Sequence, residues 1–219
     1  MTGSRSAIWL RGTWLALAAL VLAGCAAKPL EPLPEGLTEQ PPEDWSQRQQ
    51  ALLAFTHWTL TGKLAVRQGE DSGSAVINRW TQRGASYELS LSSAFLGMGH
   101  TRLSGVPGYL ELTLPDGETY RSSDPDALTE AATGWQLPLD SLVWWIRGLP
   151  SPASNFRLLF DDQDRLAVIY QQGWEIRYDR WREFVPGKPE LPARINALKE
   201  DRRVRVVVTS WQTLDAEGR

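Results

Sequence analysis

The chain has 219 residues, of which 11 are Trp, 2 are His and 1 is Cys, and its formal net charge is -3. Its hydrophobic (42%) and charged (22%) shares are ordinary for a globular protein, and its length suits one domain or at most two small ones. One Cys excludes an internal disulfide, and one Cys with two His excludes the common four-ligand zinc sites. The charge lacks the broad basic footprint of a nucleic-acid binder.

The N-terminal residues 1–24 predict a secretory signal. Arg5 and Arg11 precede an uncharged run at 12–27 that is rich in Ala, Leu and Val. This run is shorter than the about 20 residues that a membrane-spanning helix needs. A basic start followed by a short apolar run and small residues is typical of a cleaved signal.

Cys25 is the predicted lipid attachment site. The sequence Leu-Ala-Gly-Cys at 22–25 resembles a bacterial lipobox, which implies cleavage before Cys25 and acylation of this residue. Two or more acyl chains anchor a protein stably. Ala26 and Ala27 follow where, by resemblance to known sorting rules, an Asp would retain the protein at the inner membrane, so we expect the outer membrane. The alternative is an uncleaved anchor in which the Cys is incidental.

Residues 25–44 predict a tether. The stretch 28–44 contains five Pro and five acidic residues. Such a composition cannot bury a core and favours extended, solvated chain, with a maximum reach on the order of 50 Å at roughly 3.1 Å per residue.

The folded domain is predicted to span 45–214, with a polar tail at 215–219. Asp44 and Gln47 resemble a capping box for a helix that carries Trp45, Leu52 and Phe55 on one face. Strict alternation of apolar and polar residues over 58–67 then predicts a half-buried strand.

Three further strands are predicted before the middle of the chain. Their inward residues are Val76, Asn78 and Trp80 in the first, with Tyr87, Leu89 and Leu91 in the second and Leu110, Leu112 and Leu114 in the third. Gly-rich and Pro-rich turns separate these strands, and such short connections indicate antiparallel neighbours.

Two helices interrupt the strands. Asp124 and Pro125 are an N-cap and first-turn pair for a helix over 127–132, and Gly134 suits its C-terminal end. A second helix is predicted over 138–147, with the apolar face Leu139, Leu142, Val143 and Ile146.

Strands resume after the helices, at 155–160, 165–171, 174–180, 191–197 and 203–211. The total is roughly eleven strands without βαβ alternation. We therefore expect a mainly β (α+β) fold, a strongly bent antiparallel sheet with helices packed on one face.

No catalytic motif is found. The chain has no nucleophile elbow, no phosphate-binding loop and no zinc-protease motif, so we expect no enzyme, no cofactor and no metal site. His57 and His100 lie at element edges, and the acidic run 161–164 lacks the Gly and distal Glu of a calcium loop. A paired-carboxylate glycosidase stays open, because its two acids need not be close in sequence.

The aromatic residues are more informative. Nine Trp lie after Cys25, and several occupy inward-facing strand positions. Ordinary core packing explains any one of them. Together they suggest an apolar cavity, because large indoles on a concave face are hard to pack without voids.

The segment 92–100 is also unusual, because Phe95, Leu96 and Met98 lie among small residues where a turn would normally be polar. Two interpretations stay open: a loop folded back into the core, and an exposed apolar tip that meets a membrane or a partner.

Residues 133–150 read TGWQLPLDSLVWWIRGLP. This stretch resembles the signature T-G-x-x-x-P-L-x-x-L-x-x-W-I-x-G-L-P of the LolB family of outer-membrane lipoprotein receptors. Agreement extends over the chain after the signal, in the lipobox, the opening helix, the strand end 79–82, the Leu96-Gly97 loop and the terminal strand.

The resemblance implies a half-open, eleven-stranded antiparallel barrel with a helical lid around an apolar cavity. It implies a monomer that accepts acylated lipoproteins from the periplasmic carrier LolA and inserts them into the inner leaflet of the outer membrane. The cavity aromatics would be Trp45, Trp80, Trp145, Trp174 and Trp211. Leu96 matches the loop leucine associated with membrane insertion, with Phe95 and Met98 beside it. Two features depart from the family pattern: Phe95 stands where it has Pro, and the tether is longer and more acidic. The alternative is a structural or assembly lipoprotein that binds a protein partner through an aromatic face.

Overall fold

Residues 32–92 and 99–214 are described by a computed structural model, and they form eleven strands and three helices. Contacts divide the chain into two units, Met1–Glu35 and Gly36–Arg219, and the second contains every element described below. Within the described residues, no helix is both long and apolar enough to cross a membrane.

The helices are α1 (Trp45–Ala54), α2 (Pro125–Thr133) and α3 (Leu139–Trp145). The strands are β1 (His57–Gln68), β2 (Asp71–Arg83), β3 (Ser86–Ser92), β4 (His100–Val106), β5 (Tyr109–Thr113), β6 (Thr119–Ser122), β7 (Phe156–Phe160), β8 (Leu166–Gln171), β9 (Trp174–Arg182), β10 (Leu191–Lys199) and β11 (Arg202–Thr213).

All eleven strands lie in one antiparallel sheet, in the order β6-β5-β4-β3-β2-β1-β11-β10-β9-β8-β7. The first and last strands therefore pair at the centre of the sheet, and the two edges are β6 and β7. Helices α2 and α3 connect these edges in sequence. This confirms the predicted fold of an open antiparallel sheet with helices inserted midway.

Two strands were counted but not located by the sequence. In β4 the inward positions are Thr101 and Leu103, so one of the two is polar, and in β6 no residue is buried. A half-buried strand is predicted from alternation of apolar and polar residues, and neither segment has enough apolar residues for this alternation to be recognised.

Strand β1 alternates as predicted, with Trp58, Leu60, Leu64 and Val66 buried. The pairing shifts by one residue at Gly62 on both sides of the strand. A side chain at Gly62 would place its Cβ 2.3 Å from the carbonyl oxygen of Val207, so the close approach of β11 requires glycine here.

The predicted face of β2 is wrong in its first half. Val76 is 46% exposed, and Asn78 is also exposed, whereas Ile77 and Trp80 are each 1% exposed. The register between β2 and β3 shifts between Ile77 and Arg79. Such a bulge exchanges the two faces of a strand, and strict alternation in the sequence cannot reveal it.

The predicted ends of α2 are confirmed. The Asp124 carboxylate accepts a hydrogen bond from the Ala127 amide (3.0 Å), Pro125 opens the helix, and Gly134 follows it with φ 76°. The predicted capping box of α1 is wrong, because the Asp44 side chain caps no amide. Its Oδ1 pairs instead with Arg48 Nη2 at 2.5 Å.

Helix α3 is buried on almost every side. The predicted apolar face is buried, and so are Ser141 and Trp145. The helix therefore fills space inside the curved sheet.

Part of the predicted tether packs on the sheet edge. Thr38 exchanges backbone hydrogen bonds of 3.0 and 2.9 Å with Phe160 at the end of β7, and Glu39 pairs with Arg157. The chain is thus attached to the folded unit well before α1.

Candidate functional site

A cluster of aromatic rings fills one end of the barrel, where β1, β2 and β11 meet. Trp58 lies 5.9 Å from Trp80 and 4.7 Å from Trp211 between ring centroids, and Phe55 lies 5.8 Å from Trp211. All four side chains are buried. Trp58 is completely buried at the centre of this cluster, although no sequence pattern marked it for a particular role.

A second aromatic pair attaches α3 to the sheet. The Trp145 and Trp174 rings are 6.1 Å apart. The Nε1 of Trp145 donates to Oε1 of Gln171 (2.9 Å), and the Tyr178 hydroxyl donates to the Trp145 carbonyl (2.9 Å). Because Gln171 also binds both backbone groups of Ser151, this buried network fixes the end of α3 and the chain that follows it.

The third group lies between α1 and the β7–β9 side of the sheet. Trp45 packs edge-on against Phe160 at 5.0 Å. Beside it is a pocket of about 430 Å³, whose wall includes Leu52, Leu166 and Trp181. The five Trp predicted to surround one cavity are therefore all buried, but the structure distributes them over three separate groups.

A small apolar cavity lies inside the sheet, under α2. Its volume is about 30 Å³, and β1 to β4 supply one wall while α2 and the segment after it supply the other. The lining residues are Leu64, Val66, Gly73, Ser74, Ala75, Leu91, Thr101, Leu103, Thr129, Thr133, Trp135 and Leu137. This volume is about one tenth of the smallest ordinary ligand pocket, roughly 300 Å³. This cavity is therefore too small for a ligand of ordinary size.

Several indole N–H groups in the interior have no acceptor among the described residues. They belong to Trp58, Trp80, Trp135 and Trp211. A buried donor without a partner costs free energy. Trp135 is the one of these four that lines the small cavity, and no sequence signal separated it from the other Trp.

Polar contacts attach both ends of α3 to neighbouring elements. At its start, the Asp140 Oδ2 accepts the backbone N–H of Gly108 in the β4–β5 turn (2.9 Å). After its end, Arg147 Nη1 donates to the carbonyls of Phe55 (3.1 Å) and Leu52 (3.4 Å), just beyond and inside α1. Arg147 also stacks on Trp144 at 4.8 Å.

Burial changes the proton affinity of three groups near these helices. Burial lowers the pKa of Arg147 to about 10. Burial first, and then the negative charges of Asp140 and Asp124, raise the pKa of Asp126. Burial first, and then Asp140 and Asp126, raise the pKa of the Tyr87 hydroxyl. The negative charge of Asp140, in the first turn of α3, thus acts on Asp126 in the first turn of α2.

Four of the predicted site residues lie outside the described part of the chain. They are Cys25 and the loop residues Phe95, Leu96 and Met98. The strands β3 and β4 that flank this loop pair from Ser92↔His100 onward. Over residues 32–92 and 99–214, no three His, Cys, Asp or Glu side chains are grouped so that they could hold a metal ion.

This geometry defines a class of protein: an open antiparallel barrel whose curved face is apolar and is covered by short helices. Such an interior suits an apolar ligand more than it suits catalysis, because it brings together indoles and aliphatic side chains.

Comparison with known proteins identifies the family. Residues 56–211 match the family model for the outer membrane lipoprotein LolB. The chain is 60% identical over 201 residues to an outer-membrane lipoprotein LolB from Marinobacter nauticus, covering 92% of this chain and 97% of that protein. It is 37% identical over 199 residues to the LolB of Stutzerimonas stutzeri, covering 89% and 91%. The chain belongs to the LolB family.

A solved structure shares the fold. A LolA superfamily protein from Nitrosomonas europaea superimposes with a TM-score of 0.51 at 10% sequence identity, covering 78% of this chain and 93% of that one. The half-barrel with internal helices is therefore an architecture found outside the LolB family as well.

Proposed function

We propose that this chain is a lipoprotein receptor of the outer membrane. It accepts acylated lipoproteins from a LolA-like periplasmic carrier and inserts them into the inner leaflet of the outer membrane. Membership in a family of proteins named outer-membrane lipoprotein LolB supports this role and this location. It acts by binding and transfer, and no enzymatic step is needed.

The observation that carries the proposal is the apolar interior covered by α2 and α3. An acyl chain of roughly 16 carbons exposed to water costs on the order of 12 kcal/mol, at about 0.8 kcal/mol per methylene. Transfer therefore has to keep the chain covered. The cavity of about 30 Å³ under α2 is too small for such a chain, so cargo enters this part of the interior only by displacing the helices that cover it.

The lining of the opened cavity follows from the buried aromatics. Trp45, Trp80, Trp145, Trp174 and Trp211 are proposed to contact acyl chains once the helices move. Trp135 joins them, because it already lines the closed cavity and its Nε1 lacks an acceptor among the described residues. That N–H suits an ester carbonyl at the head of the cargo lipid.

The anchor is proposed as follows. Residues 1–24 are removed, Cys25 is acylated, and the domain proper occupies 45–214 with the tail 215–219 behind it. Because Thr38 and Glu39 contact β7, residues 25–35 are the part of the proposed tether that precedes the folded unit in the chain. At roughly 3.1 Å per residue its reach is on the order of 30 Å.

Phe95, Leu96 and Met98 form the loop that enters the bilayer during insertion.

The direct test is transfer of a labelled lipoprotein from LolA to the purified chain lacking its acyl anchor. We expect stoichiometric transfer in the absence of an energy source, because cargo moves toward the state that binds it more tightly. Cargo that stays on LolA would contradict the receptor role. An organic extract of the same purified protein distinguishes the receptor from the alternative, a structural or assembly lipoprotein. A purely structural lipoprotein would carry no lipid.

Quenching of Trp fluorescence tests whether the buried Trp residues line the cavity that holds the acyl chains. Lipoprotein or fatty acid with brominated acyl chains should quench the buried indoles on binding. Binding without quenching would mean that the acyl chain lies away from the indoles.

A further inference from the structure

The outer face of the sheet carries a concentration of positive charge at its centre. Along β1, β11, β10 and β9 the inward residues form the core, so the alternate residues point outward. Register places these outward residues in three rows across the four strands: Arg67, Arg203, Leu198 and Glu175; Ala65, Arg205, Asn196 and Arg177; Lys63, Val207, Arg194 and Arg180. We call this the basic face.

Within these described strands, the basic face holds seven cationic side chains against the two carboxylates of Glu175 and Asp179. The chain as a whole has a net charge of -3, so the charge is segregated. Of the adjoining acidic residues, Glu70, Glu200 and Asp201 lie in turns beyond the strand ends, and Asp71 is the first residue of β2. With strands about 4.8 Å apart and about 6.8 Å between rows, the seven cations occupy an area roughly 14 Å on each side.

Like charges lie directly opposite each other at two places on this face. Arg67 is the cross-strand partner of Arg203, and Arg194 is the partner of Arg180. Burial first, and then Arg205, Arg67 and Arg177, lower the pKa of Arg203. Like charges directly opposite on a sheet destabilise it. A partner with negative charge would remove this cost at Arg67 and Arg203, whereas Arg194 is already paired with Asp179.

Hydrogen bonds order part of the basic face, and these strands carry no exposed large aromatic side chain among the described residues. Asp179 accepts from Arg194 Nε (2.6 Å) and from Asn196 Nδ2 (3.3 Å), and Arg205 Nε donates to Asn196 Oδ1 (2.6 Å). Asn196 is 1% exposed beneath these side chains. Protein interfaces usually centre on buried aromatic anchors, and none of the exposed large aromatic side chains in the described chain lies on these strands.

We propose that the basic face docks on the anionic phospholipid headgroups of the membrane to which the chain is tethered. The inference rests on the proposed outer-membrane location. An array of cations without an exposed aromatic anchor fits a headgroup layer, where each basic residue contributes about 1 kcal/mol. The basic face lies at the middle of the sheet, and the edges β6 and β7 are at its two ends. Docking therefore turns the covered, concave side toward the periplasm, from which cargo arrives.

The test is flotation of residues 26–219 with lipid vesicles. All described strands and helices lie within this fragment. Vesicles of phosphatidylcholine alone are compared with vesicles of equal parts phosphatidylcholine and phosphatidylglycerol. We expect binding only to the second, with an affinity that falls as salt is raised, because salt screens the attraction between the cations and the headgroups.

The variant Lys63→Gln/Arg67→Gln/Arg203→Gln should lower this affinity on the order of 100-fold, at about fivefold per residue. The control Arg83→Gln/Arg102→Gln/Arg121→Gln changes the net charge equally, but on β2, β4 and β6. It should bind the vesicles like the unmodified chain.

Equal weakening by both variants would overturn the proposal, since net charge alone would then govern binding. So would equal binding to neutral vesicles. If the chain binds no vesicles and the first variant instead loses transfer from LolA, the basic face serves an acidic protein and the proposal is wrong. Transfer of cargo by the unmodified chain is measured separately, so failure of the receptor role is distinguished from failure of docking.

Discussion

Replacing Arg147 with Met tests how α3 is held against α1. Arg147 is 4% exposed, and burial alone accounts for its lowered pKa. Its guanidinium binds the carbonyls of Phe55 and Leu52 as well as Val143 within its own segment. Met has a similar length and fills the same apolar surroundings without a charge.

Two opposing contributions nearly cancel. The decrease of the pKa to about 10 corresponds to a burial cost of about 3 kcal/mol for the charged form, which Met does not incur. The 3.1 Å hydrogen bond to Phe55 contributes about 2 to 3 kcal/mol, and the 3.4 Å contacts contribute little. Carbonyls left without a donor cost about 1 kcal/mol more. We expect Arg147→Met to lower the free energy of unfolding by only about 1 kcal/mol.

The assay is urea unfolding followed by Trp fluorescence, at neutral pH and again above pH 10. With a folded pKa below the unfolded one, the folded state binds fewer protons between these values, so this group raises stability as pH rises. The difference between the unmodified chain and Arg147→Met should therefore widen above about pH 10. The reasoning is refuted by a loss of more than about 4 kcal/mol at neutral pH, or by a difference that does not change with pH.

Three further outcomes are expected. Asp126→Asn should raise the melting temperature at neutral pH, because the raised pKa of Asp126 marks a cost that is present above the folded pKa and vanishes below the unfolded one; the gain should shrink in melts near pH 4, and a constant gain would contradict this cause. Gly62→Ala should cost about 3 kcal/mol, since its Cβ would meet the Val207 carbonyl oxygen at 2.3 Å, whereas Gly84→Ala, with open space at φ +59°, should cost about 1 kcal/mol in the same urea titration. Leu96→Glu should leave melting and cargo binding nearly unchanged but block incorporation of cargo into liposomes, because a charge at the loop tip resists entry into the bilayer; normal incorporation would exclude this loop as the insertion element.

Local patterns in the sequence were sufficient for most of the secondary structure. The alternation in β1, the capping of α2 and the apolar face of α3 each depend on residues near one another in the chain, and each is confirmed. The signature at 133–150 also identified the family. Such features are encoded locally, so the sequence displays them without knowledge of the fold.

Tertiary contacts decided what local pattern could not. The bulge in β2 turns Val76 outward, because pairing with β3 and not alternation sets the register. Strands β4 and β6 carry few apolar residues, and they form by pairing with the neighbouring strands β3 and β5. The Asp44 side chain, expected to form a capping box, forms an ion pair with Arg48 instead.

The candidate site shows the same division. Composition and the family signature pointed to an apolar interior rich in indole. They could not place the five Trp in three separate groups, because ring contacts join residues far apart in the chain, such as Trp58 and Trp211. Only the folded sheet brings Arg67 opposite Arg203 and leaves a cavity of about 30 Å³ under α2. The sequence by itself determined the family, the strand count and the apolar character; pairing across the sheet determined where each side chain points and how much space remains.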